Sequence, residues 1–202
     1  MNVLVILCFI IWIYFISVFH RGNLNYFKFL WGSVGLFIFM MIFLQPIASE
    51  ILTELVSSSA GILGRLTGLY ESYHEYGVIF IANKDSSISL YIDYECSGII
   101  EMMAFVSMVA FFQVYDLGQR VIISILGCIG IFLANIVRIF IICLIIFLFG
   151  NNSYYFAHTF VGRIVFYGLS VVLYYYVFTK AQIIKQKVGG FSYAENNDIS
   201  VK

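Results

Sequence analysis

VIISILGCIGIFLANIVRIFIICLIIFLF, residues 121–149, carries Arg138 as its one charged side chain and Asn135 as its one amide. About 20 apolar residues suffice to take an α-helix across a hydrocarbon core roughly 30 Å thick, at about 1.5 Å of rise per residue. This run exceeds that length, so it reads as a membrane span that tilts, breaks or projects past the outer surface. The whole chain agrees about the solvent. Its 202 residues are 62% hydrophobic and 11% charged with one proline, and mean hydropathy is +0.97. A soluble domain is nearer 45–50% apolar, roughly speaking.

Working outward, four more apolar runs qualify as spans: Val3 to Phe19, Phe29 to Ala48, Ile99 to Tyr115 and Ile164 to Phe178. The first lacks the basic start and small-residue cleavage site of a signal peptide and reads as an anchor. Residues 51–69, with Glu54 and Arg65, read as an interfacial amphipathic helix. GVIFIANKDSSISLYIDY, residues 77–94, holds two β-rich pieces around a turn signal and predicts a hairpin. The expectation is an all-α integral membrane protein of about five transmembrane helices, with an interfacial helix and a short extracytoplasmic β-hairpin. It divides into a membrane domain over 1–180 and a polar cytoplasmic tail over 181–202, where periodicity is lost.

Lysine and arginine collect in short cytoplasmic loops. With the amino end outside and the carboxyl end inside, the inner face receives Arg21, Lys28, Arg120, Lys180, Lys185, Lys187 and Lys202. The outer segments keep Arg65, Lys84 and Arg163 beside seven acidic residues: Glu50, Glu54, Glu71, Glu75, Asp85, Asp93 and Glu95.

Polar groups inside spans are costly and few, so each is a functional suspect. Here they are Glu101, Asn135 and Arg138. Counted along the helix from Val121, Arg138 stands about 25 Å up a core of about 30 Å, near the outer face. Cys96 stands at the same level, where the β-rich segment hands over to the third span. Cys8, Cys128 and Cys143 lie within apolar runs and read as small hydrophobes. A thiol at a helix start is biased towards thiolate by the unpaired amides and the helix dipole. Ser97 suits the cap of the first turn and Gly98 a close backbone approach. His158 precedes the last span at the outer interface and supplies a group that takes and returns protons near neutral pH. His20 and His74 read as solvated, and Arg163 as an interfacial anchor. Helix rise puts Glu101 within reach of Arg138, so an ion pair between them is the simplest structural account of both. Asn135, one turn before Arg138 on the same face, is placed to orient it.

IDYECSGIIEM around Cys96, LANIVRIF around Arg138 and YYFAHTFVGR around His158 resemble the exosortase/archaeosortase family, in particular its Gram-positive branch. The resemblance runs from about Leu52 to Val177, with Met1 to Ala48 similar only in kind. It implies a membrane-embedded cysteine protease/transpeptidase of the bacterial plasma membrane. Such an enzyme cleaves a C-terminal sorting signal on exported proteins bearing a C-terminal hydrophobic span. It then transfers the acyl group to an envelope lipid or glycan acceptor. Cys96 is then the nucleophile, His158 the base and acid, and Arg138 the oxyanion or carbonyl partner. Ser97, Gly98, Glu101 and Asn135 support them. No cofactor, metal or nucleic acid is implied, and the partners besides substrate and acceptor are membrane lipids. Two other classes compete: a non-catalytic assembly factor for an envelope polymer, and a small transporter using Glu101, Asn135 and Arg138.

The charge distribution makes a first prediction. Cysteines introduced at Ser86 and Asn152 react with an impermeant thiol reagent on intact cells, and one at Gln186 does not. Labelling at Gln186 alone reverses the orientation.

Overall fold

A computed structural model describes residues 3–73, 77–83, 86–92 and 94–184. The element order is α1 (Val3–Arg21), α2 (Asn25–Phe43), α3 (Gln45–Thr67), β1 (Glu71–Tyr73), β2 (Val78–Asn83), β3 (Ser86–Tyr91), α4 (Tyr94–Ser97), α5 (Ile99–Phe111), α6 (Leu117–Phe149) and α7 (Gly162–Tyr174). Two π-helical stretches, Phe156–Val161 and Tyr175–Lys180, flank α7 and run continuously with it to Ile184. His74, Glu75, Lys84, Asp85, Asp93 and the tail from Lys185 lie outside the described residues.

Three helices among these residues are long and apolar enough to cross a membrane: Asn25–Phe43, Leu117–Phe149 and Phe156–Ile184. The expected set of five spans is thus not reproduced by length. The described part of α1 and the whole of α5 are shorter apolar helices. Helix α5 stops at Phe111 rather than Tyr115 because Phe112 turns extended. Arg120 closes the turn that follows, its Nε donating to the Tyr115 carbonyl at 2.9 Å and its Nη1 to Ala110 at 2.8 Å. The second of these bonds satisfies an acceptor left over at the end of α5. A capping box of Asp116 and Gln119 then starts α6 four residues before Val121.

The other boundaries move for equally local reasons. Pro46 has no N–H to continue α2, so that helix ends at Phe43 and α3 begins at Gln45, well before the expected Ile51. The β segment is a three-stranded antiparallel sheet in the order β1-β2-β3, so β1 extends the expected hairpin. Ile79 pairs with Leu90 and Ile81 with Ile88. Alternation turns Ile79, Ile81, Leu90 and Ile92 inward and leaves Tyr73, Phe80 and Tyr91 exposed. The last helix starts at Phe156 rather than Ile164, which puts His158 inside it.

Two cores stack along α6. The inner one joins Phe105 and Val109 of α5, Ile131 and Ala134 of α6, and Phe166 of α7. The outer one joins Val56 and Ala60 of α3, the inward residues of the sheet, and Ile139, Ile142, Cys143 and Ile146 of α6. Helix α6 is unbroken, and its last third is covered by α3 and the sheet. Asn135 and Arg138 fall between the two cores.

The inner core is closely fitted at Gly127, where a Cβ would lie 1.9 Å from the Phe105 ring. That ring is wedged edge-on between Tyr174 and Phe178 and has little room to retreat. Gly127→Ala therefore lowers stability by about 1–3 kcal/mol, the usual cost of overpacking. Thermal unfolding in detergent reads the loss, and adding Phe105→Leu recovers part of it. An unchanged melting temperature in Gly127→Ala contradicts the packing.

Candidate active site

The site forms where α4 meets α5. Gly98 separates them with φ = 80°, a left-handed conformation that glycine adopts without a Cβ penalty. A Cβ there would meet Asn135 at an ordinary 3.7 Å, so within the protein the glycine is required by the bend and not by crowding. Gly98 is also the N-cap of α5, the place expected of Ser97, and Ser97 is instead fully buried. Cys96 consequently lies within the single turn of α4, not at the start of a long helix. What surrounds its sulfur is side chains from two other helices.

Arg138 Nη2 donates to Cys96 Sγ at 3.2 Å. His158 Nε2 lies 3.3 Å from the same sulfur. Asn135 Nδ2 donates to the Cys96 carbonyl at 2.7 Å, so the amide fixes the backbone carrying the thiol and not, as expected, the guanidinium. Cys96 and His158 are half-buried, Arg138 is 7% exposed and Asn135 is fully buried. The site thus opens on the thiol and the imidazole, with the cation behind them. A guanidinium donor favours the sulfur as thiolate, the nucleophilic form.

Glu101 does not take the expected place. Among the described residues Arg138 forms no ion pair with it; the arginine's contacts are Cys96 and the Phe166 ring, 5.5 Å from its Cζ. The bend at Gly98 lies between Cys96 and Glu101.

Two aromatic residues join the site without a signal in the sequence. Phe166 lies under the guanidinium, and Tyr154 stacks on His158 with ring centroids 5.7 Å apart and planes at 27°. In a chain with 19% aromatic residues neither stood out. His158 itself sits in the π-helical stretch, whose wider turn shifts the phase of side chains relative to α7. Just beyond, Gly162 lets the helix close on α6, since a Cβ there would lie 2.7 Å from Ile142 Cδ1.

The family model described as transmembrane exosortase (Exosortase_EpsH) matches residues 1–176. The chain belongs to that family. The exosortase match takes in α1 and α2, which by their motifs had been similar only in kind. It confirms a membrane protein and covers Cys96, Asn135, Arg138 and His158 alike. No curated protein and no solved structure matches the chain.

This geometry predicts a Cys96 thiol more reactive than an isolated one. Arg138→Ala and His158→Ala each slow alkylation of Cys96 by iodoacetamide at pH 7 by roughly tenfold, the effect of losing one charge-assisted contact of about 1.5 kcal/mol. Glu101→Gln leaves the rate unchanged. Mass spectrometry of the Cys96 peptide measures all three, and equal rates in wild type and both alanine variants remove the contacts from the thiol's chemistry.

Proposed function

We propose that the chain is a membrane-embedded cysteine transpeptidase that processes exported proteins at the outer face of the bacterial plasma membrane. Within the exosortase family it is closest in kind to the Gram-positive branch, on the Cys-Ser-Gly, Asn-x-x-Arg and His motifs at 96–98, 135–138 and 158. The observation that carries the reading is a sulfur held 3.2 Å from a guanidinium and 3.3 Å from an imidazole, though the three residues come from distant parts of the chain.

In this reading His158 takes the thiol proton and Cys96 Sγ attacks the scissile carbonyl carbon, forming the C–S bond. The developing oxyanion is met by Arg138, whose buried Nε has no partner among the described residues. Collapse breaks the C–N bond, and the imidazolium returns its proton to the leaving amine. The resulting thioester passes to an amine or hydroxyl of an envelope lipid or glycan, or to water. His158 deprotonates that nucleophile, the C–S bond breaks, and the thiol is restored. Asn135 keeps the Cys96 backbone in register throughout.

The substrate is an exported protein whose C-terminal apolar span brings the cleavage point to the level of Cys96. The orientation follows from the loop charges, with the amino end outside and the carboxyl end in the cytoplasm.

Comparison of the secreted and membrane proteomes of wild-type and Cys96→Ala cells tests the proposal. Proteins that keep their C-terminal span only in the variant are the substrates. Cys96→Ser retains membrane abundance, because the replacement is nearly isosteric, but loses processing, since a hydroxyl is a weak nucleophile without a base tuned to it. Full processing by Cys96→Ala rejects the transpeptidase and favours the assembly factor.

A further inference from the structure

Beside the thiol lies a cleft of about 30 Å³ whose lining includes Cys96, Arg138 and His158. The rest of its described lining is Ile79, Leu90 and Tyr91 of the sheet, Ile92 just after it, and Ile139, Ile142 and Cys143 from α6, apolar except for the exposed Tyr91 at its side. A water-sized group occupies about 10–15 Å³ of such volume, so the cleft holds roughly two of them. The walls have little freedom to retreat. Ile79 and Cys143 are fully buried, and Ile142 is backed by the close approach of Gly162. Packed interiors of this kind do not adapt cheaply to extra volume.

We infer that the cleft takes the side chain of the residue whose carbonyl Cys96 attacks, and that it selects a small apolar one, alanine ahead of glycine and against branched, aromatic or charged residues. The inference rests on the acyl-transfer reading of the site and adds its substrate class. An acyl group at Cys96 has this cleft as its neighbour. A methyl group fills it, while an isobutyl group or a ring exceeds it.

Acetyl-aminoacyl chloromethyl ketones carrying Gly, Ala, Val, Leu or Phe test this on the full-length protein in lipid nanodiscs. The thiolate displaces chloride from the methylene carbon, forming C–S as C–Cl breaks, and mass spectrometry of the Cys96 peptide gives the rate. The Ala ketone reacts about fourfold faster than the Gly ketone, the worth of one buried methyl group. The Val ketone reacts roughly tenfold slower than Ala, as overpacking requires, and Leu and Phe slower still. Leu90→Ala opens the sheet-side wall and raises the Val and Leu rates towards that of Ala. Rates independent of the side chain, or fastest for Leu or Phe, overturn the cleft assignment and leave Cys96 as the nucleophile. If no ketone labels wild-type Cys96 faster than Cys96 in the His158→Ala protein, the acyl-transfer reading falls and takes the cleft assignment with it.

Discussion

A guanidinium among apolar helices needs somewhere to place its charge, and Arg138 places it on sulfur. Its Nη2 reaches Cys96, its plane lies over Phe166, and only 7% of its surface meets solvent. A neutral thiol is a weak acceptor for so expensive a donor, whereas a thiolate is a good one. Arg138 stands on the unbroken α6, but the segments that bring Cys96 and His158 to it are irregular. They are the left-handed bend at Gly98, which separates α4 from α5, and the π-helical stretch that carries His158.

Helix α6 supplies the frame for all of this. Ile131, Ala134, Asn135, Arg138, Ile139, Ile142, Cys143 and Ile146 are all buried, and their spacing by three and four residues puts them on one face. The stripe is apolar at both ends and polar in the middle. Below the polar pair it packs against α5 and α7; above it, against α3 and the sheet. The site is thus clamped between two packed cores, which give a small constellation a rigid surround. Leu126, Ile129, Leu133 and Val137 occupy the opposite face and are exposed, as suits a surface turned to lipid.

Much of the site was legible because polar atoms are scarce in this chain. Depth along a helix follows from residue count, so Cys96, Arg138 and His158 could be set at one level before any contact was known. Glu101 shows the limit of the same arithmetic. Rise fixes height but not azimuth, and among the described residues Glu101 makes no ion pair with Arg138. Asn135 was placed on the correct face and given the wrong neighbour, since it holds the Cys96 carbonyl and not Arg138. Tyr154 and Phe166 were invisible because an aromatic ring in an aromatic-rich membrane chain carries no contrast. Pro46 carried a plain signal, a missing N–H, that sets the junction of α2 and α3 earlier than hydropathy alone did.

By itself, the sequence determined the solvent. Apolar runs longer than a bilayer needs dictate helices in lipid, and the few polar groups that such runs tolerate point to the neighbourhood of the candidate site. Only the tertiary structure decided which faces meet. In α6 a leucine turned to lipid and an isoleucine turned to protein are equally apolar, so hydrophobic periodicity is silent about azimuth. The choice fell to shape: Gly127 admitting the Phe105 ring, Gly162 admitting Ile142, and Gly98 turning the chain so that one sulfur lies between a guanidinium and an imidazole.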